Sequence, residues 1–189
     1  MNNSSAGAHA GGRVRVGLIG LGAMGRGAAQ SLMRNGIEVV GFDVQAAALS
    51  WLEEQGGTCV KSVAELAVQV DTVVSFVINS SQTESVLFGE GGLVGRLRAG
   101  ATFIACSTME PAYVEALAGR LAKESIRFVD APVTGGPEGA KNGSLTIMGA
   151  GEQQTFQDAS PVLSAMGARV FHLGPAGAGT KMKIVNQLL

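Results

Sequence analysis

The feature that most constrains this chain is an apolar run that ends in three spaced glycines. Arg13-Val14-Arg15-Val16-Gly17-Leu18-Ile19 is followed by Gly20, Gly22 and Gly25. Val14 to Ile19 predicts a buried strand, and Ala23 to Asn35 predicts a helix. The glycines then sit at a strand-to-helix turn with the spacing of a dinucleotide fingerprint. Gly20 permits the tight turn, Gly22 lets backbone approach a pyrophosphate, and Gly25 lets helix pack on strand. Free N–H groups at the helix start, with the helix dipole, favour a diphosphate, and the cofactor-binding candidates of the turn are Gly20, Leu21, Gly22, Ala23, Met24 and Gly25. A second strand, Ile37 to Phe42, ends in Asp43. That acid stands where this fold places an acceptor for ribose hydroxyls, and its charge repels a 2′-phosphate. The expected cofactor is therefore NAD rather than NADP. Three glycines alone also describe a strand–helix turn that binds nothing; the flanking strands and Asp43 favour the nucleotide reading.

The rest of the chain repeats the alternation. Helices are expected over Gln45 to Gln55, Ser62 to Val68, Glu110 to Lys123 and about Glu152 to Met166, and Asn79 to Thr83 reads as a polar loop leading into a short helix that ends at Phe88. Strands are expected over Thr58 to Val60, Thr72 to Ile78, Ala101 to Ala105, Ile126 to Val129, Leu145 to Met148 and Arg169 to His172. Such alternation predicts a doubly wound, mainly parallel α/β sheet of the Rossmann type. Hydrophobic residues make up 46% and aromatic residues only 5%, so the core is expected to be Val, Leu, Ile and Ala, as in a buried parallel sheet. Ligands of such sheets sit at the carboxyl ends of the strands. That rule selects Asn79 to Gln82 after the fourth strand, with Val77 near its end, Ser107 and Thr108 after the fifth, and Asp130 to Gly136 after the sixth. Ala131 to Pro137 reads as a tight loop.

With 189 residues and a net charge of −1, the chain fits one domain with a short appendage and carries no electrostatic case for nucleic acid or acidic lipid. No apolar run reaches membrane-spanning length, so no membrane partner is expected. Met1 to Gly12 is polar and Gly/Ala/Ser-rich, without the pattern of a signal peptide, and is expected to be a disordered tail. The expected location is the cytoplasm. Cys59 and Cys106 read as ordinary buried thiols. No His, Cys or Asp cluster has metal-ligand spacing, and no metal is expected. The dinucleotide domain is bounded at residues 13–176. Residues 177–189 open a final helix that reaches Leu189 with no stop signal, which predicts further protein beyond it.

In that helix Lys183, Asn186 and Gln187 fall at i, i+3 and i+4 and share a face, while Lys181 lies on roughly the opposite one. Ile184, Val185 and Leu188 are expected to supply apolar contacts. A lysine so placed suits proton transfer and a neighbouring carboxamide suits a substrate hydroxyl or carboxylate. From spacing alone, a solvated helix lysine is the favoured reading of Lys183. Arg26 reads as a phosphate contact or a solvated side chain, and His172 as structural.

Four blocks in order carry a resemblance. They are Gly17-Leu18-Ile19-Gly20-Leu21-Gly22-Ala23-Met24-Gly25; Ser107-Thr108 with Pro111; Asp130-Ala131-Pro132-Val133-Thr134-Gly135-Gly136 with Gly139-Ala140; and Gly177-x-Gly179-x-x-x-Lys183-x-x-Asn186. The chain resembles the β-hydroxyacid dehydrogenases. The resemblance implies that Lys183 is the general acid/base, that Thr134, Gly135 and Gly136 bind the substrate carboxylate, and that Ser107 and Thr108 lie beside the nicotinamide. It also implies a second, helical domain that forms the dimer, so the full-length form is expected to be a homo-oligomer. Thr134 stands where serine is usual and Gln187 where a second asparagine is usual, which suggests a pocket adjusted to another substrate. The Asn186-Gln187-Leu188-Leu189 ending is similar to the branch acting on threonate-like sugar acids. The expected function is NAD-dependent transfer of hydride between a short 3-hydroxy acid (3-hydroxyisobutyrate, tartronate semialdehyde/glycerate or a threonate-like acid) and the nicotinamide. Two other readings stand beside it. One is a non-catalytic NAD-binding module. The other is a methyltransferase, which has no use for the Lys183 face or the Thr134 loop.

Overall fold

The computed structural model describes residues 14–188, and the expected tail and Leu189 lie outside them. Six strands form a parallel sheet: β1 (Arg15–Ile19), β2 (Glu38–Phe42), β3 (Thr58–Cys59), β4 (Thr72–Ser75), β5 (Thr102–Ala105) and β6 (Arg127–Asp130). Their order is β3-β2-β1-β4-β5-β6, reversing between β1 and β4. The helices between them are α1 (Ala23–Arg34), α2 (Ala46–Glu54), α3 (Val63–Ala67), α4 (Ser80–Phe88) and α5 (Pro111–Lys123). The carboxyl ends of β1 and β4 therefore diverge at a switch point, which opens a crevice.

Beyond β6 the chain forms β7 (Val133–Thr134), α6 (Gly136–Asn142), β8 (Leu145–Gly151), α7 (Gln153–Met166), β9 (Gly167–His172) and α8 (Ala178–Leu188). β8 runs antiparallel to both β6 and β7 and parallel to β9. The sheet is thus mainly parallel, with its antiparallel pairing confined to this end. Ser80 to Thr83, expected as loop, form the start of α4 because the Asn79 side chain caps it. Gly136 and Pro137, expected as the end of a loop, open a helix that runs to Asn142. Gly135 and Gly143 have φ of +129° and +68° and bound the helix, and a proline lies in its first turn.

The strands read as unbroken apolar runs because both faces are buried. Val16, Leu18, Val39, Val74 and Ile104 pack on one side with α1, α2, α6 and α7. Ile19, Val40, Val73, Phe103 and Ala105 pack on the other with α3, α4 and α5. Side chains alternate face along each strand, so neighbouring residues join opposite cores. The fourth strand is shorter than its apolar run. Phe76 N–H still donates to Ile19 C=O, but Ile78 is 80% exposed and its N–H donates to Gln82 Oε1. Once past its neighbours the chain has no ladder partner and turns into α4.

Candidate active site

Gly20 leaves β1 at φ +90°, a conformation that strains any other residue. A Cβ on Gly25 would fall 1.8 Å from Gly20 C=O, so α1 lies against the turn itself. Around Gly22, in contrast, a Cβ would meet nothing within 4 Å. The three glycines therefore serve the turn, open space and helix packing, as their spacing implies. Gly22 is the N-cap of α1 and no side chain caps its N–H groups.

Asp43 follows β2 and is half-buried. Its Oδ2 accepts from Leu21 N–H at 2.6 Å and its Oδ1 from Gln45 N–H at 2.8 Å. The carboxylate is thereby fixed against the glycine turn, with acceptor capacity left over. A cleft of about 660 Å³ opens here, lined by Gly20, Gly22, Asp43, Val77 and Gln82 of the expected residues. Val44, Ile78, Lys61, Ser62, Val63 and Glu90 also line it. Val44 and Ile78 are 85% and 80% exposed. Lys61 to Val63 follow β3, and the same carboxyl-end rule identifies them once that short strand is counted.

Several expected side chains are committed locally. Asn79 accepts from Gln82 N–H at 2.9 Å and Gln82 Oε1 accepts from Ile78 N–H at 2.7 Å, a reciprocal cap on α4. The Ser107 hydroxyl donates to Val77 C=O, tying the ends of β4 and β5 together. Ser107 is buried and Thr108 exposed. Arg26 is half-buried: its Nε donates to Leu21 C=O at 3.0 Å, and its guanidinium lies 5.2 Å from the Trp51 ring. His172 is structural, with Nε2 2.9 Å from Gly151 C=O and its ring stacked on Phe156. Cys106 is buried and Cys59 only partly so. Burial, then the Asp130 charge, pushes the Cys106 thiol up; burial, then the Glu53 charge, raises Cys59.

Thr134, Gly135 and Gly136 join β7 to α6, and α6 packs on α1. A Cβ on Gly27 would come 2.7 Å from Lys141 N, and Arg34 donates to Lys141 C=O at 2.9 Å. The loop and the glycine turn are thus carried by two helices in close contact. In α8, Lys181 pairs with Glu115 of α5 at 2.7 Å. Lys183, on the opposite side, is half-buried, whereas Asn186 and Gln187 are exposed. Ile184, Val185 and Leu188 do not provide the expected apolar contacts. They are 37%, 52% and 82% exposed, because no described element packs over that part of the helix.

A family model described as the NAD binding domain of 6-phosphogluconate dehydrogenase matches residues 15–174. The chain belongs to this family. It is 43% identical over 175 residues to an L-threonate dehydrogenase of Cupriavidus necator, a match covering 92% of the chain and 59% of that protein. A 2-(hydroxymethyl)glutarate dehydrogenase of Eubacterium barkeri is 36% identical over 176 residues, covering 93% and 58%. A crystal structure of 3-hydroxyisobutyrate dehydrogenase from Salmonella typhimurium matches with a TM-score of 0.88 at 34% identity, covering 93% and 61%. The β-hydroxyacid dehydrogenase resemblance is therefore correct, and the chain spans about 60% of the length of these relatives. Among the described residues no helix is long and apolar enough to cross a membrane, and no group of three His, Cys, Asp or Glu side chains is placed to hold a metal ion.

Proposed function

We propose that this chain is the NAD-binding and proton-transfer part of a 3-hydroxyacid dehydrogenase whose substrate is a threonate-like sugar acid. The observation that carries the reading is the cleft at the switch point. There Gly22 faces open space, the uncapped N–H groups of α1 begin, and Asp43 is held by two backbone N–H groups. A dinucleotide fits this set: diphosphate over Gly22 and the start of α1, ribose hydroxyls on Asp43, and flat rings against exposed Val44 and Ile78. Gly20 to Gly25, Val77, Asn79, Gln82, Ser107 and Thr108 are the residues proposed to hold it.

A nicotinamide held there would supply the hydride-transfer chemistry. The protein orients the reactants and handles the proton. Thr134, Gly135 and Gly136 hold the substrate carboxylate through the hydroxyl and loop N–H groups. Lys183 Nζ takes the proton of the reacting hydroxyl during oxidation and returns it during reduction. Asn186 and Gln187, on the same face of α8, contact the remaining hydroxyls. The substrate class is supported by the 43% identity to an L-threonate dehydrogenase and by the Asn186-Gln187 pair.

The test is NAD-linked oxidation of L-threonate, glycerate and 3-hydroxyisobutyrate by the full-length protein, with and without Lys183→Ala. We expect L-threonate to be preferred. Lys183→Ala should reduce kcat by about 10²–10⁴-fold with NAD affinity unchanged. A preference for another of these acids would overturn the substrate, and undiminished kcat in the variant would overturn the role of Lys183.

A further inference from the structure

The start of α8 is held by a buried charge supplied from β6, nearly fifty residues earlier in the chain. Asp130 is 0% exposed, as is Thr180. Asp130 Oδ2 accepts from Gly177 N–H at 3.2 Å and from Thr180 N–H at 2.9 Å, and Oδ1 accepts from the Thr180 hydroxyl at 2.8 Å. The first N–H groups of a helix have no partner within it, and a side chain just before the helix ordinarily caps them. The residues before α8 are Gly174-Pro175-Ala176-Gly177, which carry no such side chain. Asp130 does the capping from a different element, and its charge meets the positive end of the α8 dipole.

The approach leaves no slack. A Cβ on Gly179 would lie 2.2 Å from Met148 C=O and 3.1 Å from both Asp130 C=O and its Oδ2. The first turn of α8 is therefore wedged between β6 and β8. Burial pushes the Asp130 carboxyl above its ordinary value, while the hydrogen bonds from Thr180 and the glycine N–H groups pull it back. Removing one of these donors from such a site would leave a buried acceptor with fewer partners, which is costly.

Thr180 and Lys183 are three residues apart and lie on neighbouring turns of the same face. We infer that Asp130 and Thr180 form a latch that fixes the register and direction of α8, and so sets where Lys183 Nζ is presented. Both are positioning residues, acting through α8. The contribution to catalysis rests on the proposed role of Lys183; the ordering of α8 does not.

Two measurements separate these claims. The first is hydrogen exchange of the α8 amides in the 189-residue chain, comparing the unmodified protein with Thr180→Val and Thr180→Ser. Valine keeps the shape and loses the hydroxyl, whereas serine keeps the hydroxyl. Thr180→Val should speed exchange over residues 178–188 by about 10- to 100-fold, leave the rest of the sheet unchanged, and be largely reversed by Thr180→Ser. Unchanged α8 exchange in Thr180→Val, or equal acceleration in Thr180→Ser, would overturn the latch. The second is kcat with NAD and L-threonate in the full-length protein. Thr180→Val and Asp130→Asn should each lower kcat by about 10- to 100-fold at unchanged NAD affinity, and their double variant should lose less than the product of the two. Full kcat in both single variants beside an inactive Lys183→Ala would overturn the latch's contribution to catalysis and leave Lys183 standing. Full kcat in Lys183→Ala would overturn the Lys183 role while the exchange result stood. Loss of NAD affinity in step with kcat would point to general collapse and also overturn the proposal.

Discussion

A methyl group would meet very different surroundings at the three fingerprint glycines. At Gly25 it would lie 1.8 Å from Gly20 C=O, and at Gly22 in open space. Gly25→Ala should therefore destabilise the fold, by about 1–3 kcal/mol as for an overpacked core, and lower Tm. Gly22→Val should leave Tm of the unliganded protein nearly unchanged, since Gly22 has an extended φ of −68° and ψ of −168°. If the diphosphate sits there, Gly22→Val should nonetheless abolish NAD binding. Calorimetric titration together with a melting curve checks both halves; unchanged NAD affinity would refute the cleft reading. Asp43 divides the cofactors in the same experiment. NAD(H) should bind more tightly than NADP(H), and Asp43→Ala should narrow the gap. The turn at Gly20, the open space at Gly22 and the close packing at Gly25 were legible in the sequence because each follows from backbone geometry at fixed spacing. The local duties of Arg26, Asn79 and Gln82 were not. Which carbonyl or N–H a polar side chain finds depends on where turns place it, and the Asp130–Thr180 contact joins residues that no local pattern relates.

At the scale of elements, helices and strands followed their sequence signals except where the signal was ambiguous. The apolar run through Ile78 outlasts β4 because hydrophobicity marks a strand only while neighbouring strands accompany it. Gly135, Gly136 and Pro137 suggested the end of a loop, yet they open α6, with the proline in its first turn and the left-handed Gly143 at its end. Ser62 caps α3, accepting from Glu65 N–H, while the Glu65 carboxylate accepts from Lys61 N–H. Between α4 and α5 lies a polar lock. Glu84 accepts from Arg120 at 2.6 and 2.9 Å and from the Tyr113 hydroxyl at 2.9 Å, and Arg120 also covers the Phe88 ring. The Arg120 hydrogen bonds, reinforced by Tyr113, hold the Glu84 carboxyl below its ordinary value near 4.5. Burial, followed by the hydrogen bond to Glu84, pushes the Tyr113 hydroxyl up. For a carboxyl lowered on folding, the stabilisation is complete above the unfolded value and disappears as pH falls through the folded one. The unmodified protein should thus lose stability below about pH 4.5 more steeply than Glu84→Gln. Urea melts at pH 7 and between pH 4.5 and 3 check this; parallel losses would show that the lock contributes nothing to acid sensitivity.

For the whole molecule, the two cores meet their helices on both faces of the sheet, and among the described residues a run of exposed apolar side chains lies along the far part of α8. Met182, Ile184, Val185 and Leu188 are 45%, 37%, 52% and 82% exposed along that helix. The curated relatives are longer, with this chain covering 59% and 58% of two of them. The proposed cofactor contacts all precede Met109, within the sheet and its carboxyl-end turns, whereas the proposed proton-transfer group projects from α8. Binding and turnover should consequently separate. The 189-residue chain by itself should bind NAD, and at 100 times Kd the ligand should stabilise it by about 2.7 kcal/mol, which for a domain of this size raises Tm by roughly 5–10 °C. Turnover of L-threonate by the same chain should be at least about 100-fold below that of the full-length protein, because an open crevice admits water, weakens electrostatic stabilisation and leaves the substrate poorly held against Lys183. Thermal shift and steady-state rates on the two forms, in one buffer, decide it. Equal turnover would mean that the residues needed for chemistry all lie within this chain. An absent NAD shift would remove the cofactor cleft, and with it the reason to assign Lys183 a proton at all.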